Sequence, residues 1–300
     1  MRFGMQSLVG KLSNSEAFFR VEGSSWKGQS LSDVTEQIQG LARRLYSFGV
    51  SEESVVAICC DDDLDGVWVE QAVWLLGGTT IWIAESTDDG ELLKCLGVSR
   101  ASLFVLSPAD RYGALEDGLD ELEDLMMVFS LKDDSAMVPL VPAAASSEWL
   151  AALSPPSPAA TALLSGAGNV MTILDRKALD EIVVRALHRQ LTGQRVLICA
   201  DLSRIEVRII LWVTLLQQRT LYWSPASQEL PAPLLRMVRP QTCVLSRLGA
   251  LSLPTGFERW LPKRWHQHTL GGQLKELHWL GNGLTHADQL FFERSGIRFR

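Results

Sequence analysis

Three hundred residues, 47% of them hydrophobic, are enough to bury one large core or two tightly packed ones. A formal net charge of -7 excludes a general nucleic-acid binder, which needs a surplus of Lys and Arg on one face. The charge is uneven: residues 51–134 are strongly acidic, while residues 236–300 are basic and hold four of the five histidines. Two solvated faces that complement each other account for this asymmetry. The five cysteines, Cys59, Cys60, Cys95, Cys199 and Cys243, lie mostly in apolar runs such as VVAICC and VLICA. An odd count without regular spacing reads as buried thiols in a reducing compartment. The N-terminal segment lacks the apolar core and small-residue cleavage site of a secretory signal. No uninterrupted apolar stretch reaches the roughly 18 residues of a membrane span, so the expected location is the cytoplasm.

In chain order, the segment AFFRVEGSSWKGQSLS predicts a hairpin. A helix follows, because Leu31, Val34, Ile38, Leu41, Leu45 and Phe48 recur at steps of three and four and so share one face. Ser30 is a candidate cap with Asp33 three positions on, and Gly49 suits a left-handed stop. SVVAICC then reads as a buried strand, DLDGVWVEQAVWLLGG as a helix, TTIWIAEST as a strand, DGELLKCLGV as a helix and ASLFVLS as a strand. Such alternation is the pattern of a parallel α/β sheet. Between Pro139 and Pro158 the composition turns to Pro, Ala and Ser, which predicts a linker and a division into 1–150 and 151–300. Alternation then resumes: strand TALLS, a helix from Leu174 to Leu191, strand RVLICA, helix EVRIILWVTLLQQ, strand TLYWS, helix PAPLLRMVR and strand TCVLS. The segment GGQLKELHWLGNGLTHADQLFFERSGIRFR predicts strand, turn and helix. No repeat of fixed period is visible.

This order of elements, with several local motifs, resembles the large N-terminal domain of adenylate-forming enzymes, the group of acyl- and aryl-CoA synthetases, luciferases and peptide-synthetase adenylation domains. The resemblance runs from about Ser30 to Arg300. LGGQLKELHWLGNGLTHADQLFFERSGI is similar to the family's LGGxLRxxxxGGAPLxxExxxFFxxxGI, and RVLICADLSRIEVRIILWVTLLQQRTLYW to the stretch holding PLSHxxG and LLxGATLV. TALLSGAGNVMTILDRKAL, residues Thr161 to Leu179, occupies the place of the phosphate loop TSGTTGxPKGVxLTHxxL. The resemblance implies an α/β fold of layered β-sheets flanked by helices, with nucleotide contacts at Ser165, Gly166, Gly168, Gly281 and Gly283. It implies ATP and Mg as cofactors if the chain is an active ligase, and none if it is not.

Several departures bear on activity. The loop is shorter than the family's, Ala167 and Gly168 replace its threonines, and no lysine follows until Lys177, inside the predicted helix. Arg204 stands at the histidine of PLSHxxG. The chain stops at Arg300, before the family's YGxTE motif and the small C-terminal domain with its lysine. The expectation is a degenerate acyl- or aryl-CoA synthetase-like protein that acts by binding an acyl or aryl group or a partner. Two alternatives stand beside it: the nucleotide half of a split ligase, and a structural subunit whose Arg259, Lys263 and Arg264 dock an acyl carrier protein. A second copy of the chain is a further candidate partner, covering the apolar side of DQLFFERSGI.

Other constellations carry less. Ser165, His188 and Asp175 are residue types of a hydrolase triad without its strand-turn elbow. His266 and His268, with His278 and His286, lack the cysteine pair or carboxylates that complete a metal site. CCDDDLDG lacks the ligand spacing of a calcium loop, and its carboxylates suit a helix start. Trp68, Trp74, Trp82, Trp212 and Trp223 fall at apolar positions and read as core.

Overall fold

A computed structural model describes residues 16–60, 63–107, 109–131, 137–144, 160–164, 171–188, 193–247, 270, 272–281 and 286–300. Among them the chain forms two compact units, one of residues 32–184 and one of residues 16–31 with 185–300. Each unit is built on its own seven-stranded sheet.

In the first unit, helix α1 (Leu31–Ser47) turns Val34, Ile38, Leu41 and Leu45 inward, and Gly49, at φ 87°, ends it. Phe48 lies just past the helix, with its ring 4.9 Å from that of Phe129. The apolar runs then form β3 (Val55–Cys59), β4 (Thr79–Trp82), β5 (Leu103–Leu106), β6 (Met127–Ser130) and β7 (Val138–Pro139). Between them lie α2 (Asp65–Leu75), α3 (Asp89–Ser99) and α4 (Tyr112–Asp120). The strands β3 to β7 run parallel, in the order β7-β6-β5-β3-β4. The sheet is completed beyond β4 by parallel β8 (Ala160–Leu164) and antiparallel β9 (Met171–Asp175).

The second unit repeats that plan. Its strands β10 (Arg195–Cys199), β11 (Thr220–Trp223), β12 (Thr242–Leu245), β13 (Glu276–Trp279) and β14 (Arg298–Phe299) stand in the order β14-β13-β12-β10-β11, all parallel. The described helices are α6 (Ile205–Leu216), α7 (Ala232–Val238) and α8 (His286–Arg294). The expected N-terminal hairpin, β1 (Glu16–Glu22) and β2 (Ser25–Ser30), completes this sheet beyond β11, turning at Gly23 with φ 58°.

The two sheets match in detail. Ser107 N–H donates to Cys59 O at 2.9 Å, and Ser246 N–H to Cys199 O at 3.3 Å, each one rung past the paired strands. The likeness surfaces in sequence only as short pieces, Ile58-Cys59 against Ile198-Cys199 and Val105-Leu106-Ser107 against Val244-Leu245-Ser246. A duplicated backbone plan needs only apolar, β-branched strands in each copy, so no fixed-period repeat survives.

Two segments differ from the sequence expectation. Leu174 and Asp175, read as the start of a helix, are the last two residues of β9, and the helix α5 (Arg176–His188) starts only at Arg176. Pairing with β8 supplies a ladder that outweighs the local helical pattern. The expected linker begins as ordered structure: Leu140 is buried, Ala143 N–H donates to Gly40 O at 3.0 Å, and Arg43 bonds the Ala144 carbonyl. Gly40 makes room for it, since a Cβ there would come within 2.8 Å of Ala143 O. The two compact units meet along the chain between Val184 and Arg185, and β8 and β9 pair into the first sheet. The later part of the linker lies outside the described residues.

Each unit has its own core. In the first, Phe104, Leu106, Ile81 and Leu92 gather around β5. In the second, Leu197, Cys243, Leu277, Phe292 and Ile297 do so around β12. Phe292 and Ile297, expected at an exposed apolar patch, are 0% and 2% exposed. Helices α2 and α6 are buried almost all round, Trp68 and Trp212 among their residues; both are mostly apolar, with Glu70 and Gln71 in α2 and Arg208 and Thr214 in α6 buried among them.

Candidate functional site

In the second sheet, β10 is first in its parallel set. The chain goes to one side to form β11 and then crosses to the other for β12, β13 and β14. Such a reversal opens a crevice at the carboxyl ends of the two strands beside it, here β10 and β12, because their connections leave in opposite directions. The residues just past those ends are Ala200 and Asp201 on one side, and Ser246 and Arg247 on the other.

These residues are joined. Asp201 N–H donates to Ser246 Oγ at 3.2 Å. The Asp201 carboxylate lies 3.9 Å from Arg204 Nε and 3.7 Å from Arg247 Nη2. Those separations make ion pairs and are too long for hydrogen bonds. Asp201 is held with 17% of its side chain exposed, while Arg204 and Arg247 keep 39% and 59%. Among the described residues, one carboxylate between two partly exposed guanidinium groups leaves a net positive charge, and a guanidinium fork suits a carboxylate or phosphate. The turn beneath is fixed by Arg208, 1% exposed, whose Nη1 donates to the Ser203 carbonyl at 2.9 Å and also bonds the Leu202 carbonyl.

Gly281 belongs to this end of the sheet. It follows β13, and a Cβ there would overlap the carbonyl oxygen of Ser246. Only a glycine lets the chain leaving β13 pass this close to the end of β12. Its partner in the sequence expectation, Gly283, lies outside the described residues, as do Ser165, Gly166 and Gly168. The frame of that loop is described: residues 165–170 join antiparallel strands β8 and β9, whose last pair is Leu164 and Met171. The expected setting of a strand running directly into a helix is therefore replaced by two strands and then α5.

Asp175 ends β9 and His188 ends α5, so a 13-residue helix separates them, a rise of about 20 Å. They cannot share a triad. His266 and His268 lie outside the described residues. Among the described residues no group of three or more His, Cys, Asp or Glu could hold a metal ion, and no helix is long and apolar enough to cross a membrane. Arg259, Lys263 and Arg264 also fall outside them.

A family model described as AMP-binding enzyme matches residues 9–165, more than half of the chain. The chain belongs to the AMP-binding enzyme family. Solved structures agree on the fold of this AMP-binding family member. It is similar to a luciferase-like enzyme from the mealworm Zophobas morio, at 12% identity and a TM-score of 0.74, over 93% of this chain and 67% of that one. It is similar to a red-emitting luciferase from Phrixothrix hirtus, at 14% identity and a TM-score of 0.74, over 98% and 74%. It is similar to a long-chain-fatty-acid-CoA ligase from Archaeoglobus fulgidus, at 13% identity and a TM-score of 0.69, over 98% and 61%. The chain thus spans about three fifths to three quarters of their lengths. No curated protein matches by sequence.

Sequence reasoning singled out Arg204 and Gly281 but missed Asp201, Ser246 and Arg247. The available signal was positional: VLICAD and TCVLSR are strand ends, and strand ends beside a reversal in strand order are where open α/β sheets bind ligands.

Proposed function

We propose that this AMP-binding family member binds a carboxylic acid or its adenylate through the carboxyl end of the second sheet and does not complete ATP-driven adenylation unaided. The observation that carries the reading is the content of the connection between β8 and β9. Residues 165–170 read SGAGNV, with one hydroxyl and no Lys or Arg. A triphosphate concentrates negative charge, and holding it calls for several donors and a cation aimed at one place. The next lysine in the chain, Lys177, is the second residue of α5. The residues at this position do not fit a triphosphate.

The pair Arg204 and Arg247 around Asp201 offers what the loop does not. A carboxylate or a singly charged phosphoester needs one or two guanidinium donors, and these two have solvent-facing capacity. Calorimetric titration separates the alternatives. A stable acyl-adenylate mimic should bind, and Arg247→Ala should weaken it about tenfold, the loss of one charge-assisted contact. ATP with Mg should give no saturable heat. Micromolar ATP binding would overturn the reading and favour a working ligase component.

A further inference from the structure

A second surface, in the first unit, is independent of that site. Beside α4 and β6 lies a cavity of about 330 Å³. Its lining includes Tyr112, Leu122, Leu125 and three methionines, Met126, Met127 and Met137. Met126 is 64% exposed, and Val138 on the edge strand β7 is 39% exposed, so the apolar lining reaches the surface. Methionine is unbranched and polarisable, and surfaces rich in it adapt to differing apolar partners.

The rim is acidic. From Glu116 to Asp124 the sequence reads EDGLDELED, and Glu116, Asp117, Asp120, Glu121, Glu123 and Asp124 are all exposed. Asp120 itself lines the cavity. Glu116 and Asp120 stand about one and two turns along α4 from Tyr112, which also lines the cavity, and after burial both carboxylates raise its phenol above the ordinary range. Two cations close to this segment are committed: Arg100 pairs with Asp124 at 3.0 Å, and Arg111 with Asp89 at 2.7 Å.

The edge of the sheet selects the form of the partner. A peptide adding as a strand needs a long edge with free backbone donors, yet β7 is two residues, Val138 and Pro139, and proline has no N–H to give. Side-chain insertion is left, and a cleft lined by Leu, Met and Val side chains with carboxylates along its rim suits an amphipathic helix of the opposite charge.

We propose that this groove docks a basic amphipathic helix of a partner protein, whose apolar anchor enters the cavity while its Lys and Arg side chains meet the carboxylates of residues 116–124. The acidic rim steers the approach, and the cavity supplies the burial that holds the helix.

The test uses the full chain and a synthetic amphipathic helix of Leu, Trp and Lys, followed by calorimetry or by the anisotropy of a fluorophore attached to each peptide. One control peptide replaces Leu and Trp by Ser, and a second replaces Lys by Glu. The basic amphipathic peptide should bind, and both controls should lose binding at least about tenfold. Met126→Asp and Asp120→Lys, each checked for native circular dichroism, should weaken it by a similar factor, whereas Met237→Asp, at an exposed methionine of α7 in the second unit, should not. Added salt should weaken the complex, since the rim charges are exposed. Equal binding of the Ser-substituted peptide would mean charge alone acts and would overturn the proposal. So would binding unaffected by Met126→Asp, or a concentration-dependent dimer that Met126→Asp dissolves, which would make a second copy the occupant.

Discussion

Arg300 Nε lies 2.7 Å from Oε1 of Glu276, a side chain with no exposed surface. The pair links two neighbouring parallel strands, since Glu276 opens β13 and β14 pairs with it at Glu276 and Arg298. A carboxylate at that depth is costly unless a cation compensates it. Arg300 keeps 47% of its side chain exposed, which screens the gain. Arg300→Met should therefore cost about 1–3 kcal/mol in urea unfolding, less than a fully buried pair. Glu276→Gln in the same background should restore part of the loss, and a double-mutant cycle that finds no coupling would remove the pair from the account of β14.

His278 stands two residues along β13, with Nε2 3.4 Å from the same Glu276 oxygen. Burial holds its imidazole below the ordinary value of 6.5; Glu276 opposes that shift and Arg300 adds to it. On acidification the unfolded imidazole takes a proton before the folded one does. The unfolded state then binds more protons, so stability falls as pH drops below about 6.5. Urea midpoints at about pH 7.5 and about pH 5.5 should show a smaller loss for His278→Gln than for the parent chain. Equal losses would assign the acid sensitivity to other groups.

Gly281→Ala forces a Cβ onto the carbonyl of Ser246, a backbone atom that cannot rotate away. Relief requires separating the ends of β12 and β13, and overpacking of this kind costs about 1–3 kcal/mol. The same change should weaken any ligand held at Asp201, because Ser246 Oγ accepts the Asp201 N–H. Gly113→Ala, where a Cβ meets nothing within 4 Å, is the matched control.

The thiols should react in two classes. Cys59, Cys60, Cys199 and Cys243 are buried, and burial pushes the Cys199 and Cys243 thiols well up, so neither forms the reactive thiolate. Cys95 on α3 is partly exposed, its thiol raised by burial and by Glu91 against a smaller opposing effect of Lys94. An aromatic disulfide reagent should label Cys95 first, slowly, and reach the other four only in denaturant. Rapid native labelling of Cys243 would contradict the placement of β12 at the centre of the second core.

The sequence by itself determined the class of fold. Runs such as VVAIC and RVLIC are apolar on both faces, which only a doubly covered parallel strand accommodates, and the spacing from Leu31 to Leu45 admits only a one-faced helix. These are local facts, written within 5 to 17 residues of chain. The tertiary structure alone decided which sheet each hairpin joins. Strand β1 pairs with β11 and strand β8 with β4, and no local pattern encodes a partner that far along the chain. The site follows the same rule: Asp201 and Ser246 become neighbours through the crossing of β12 to the far side of β10, so their meeting is a property of strand order and not of spacing in the sequence.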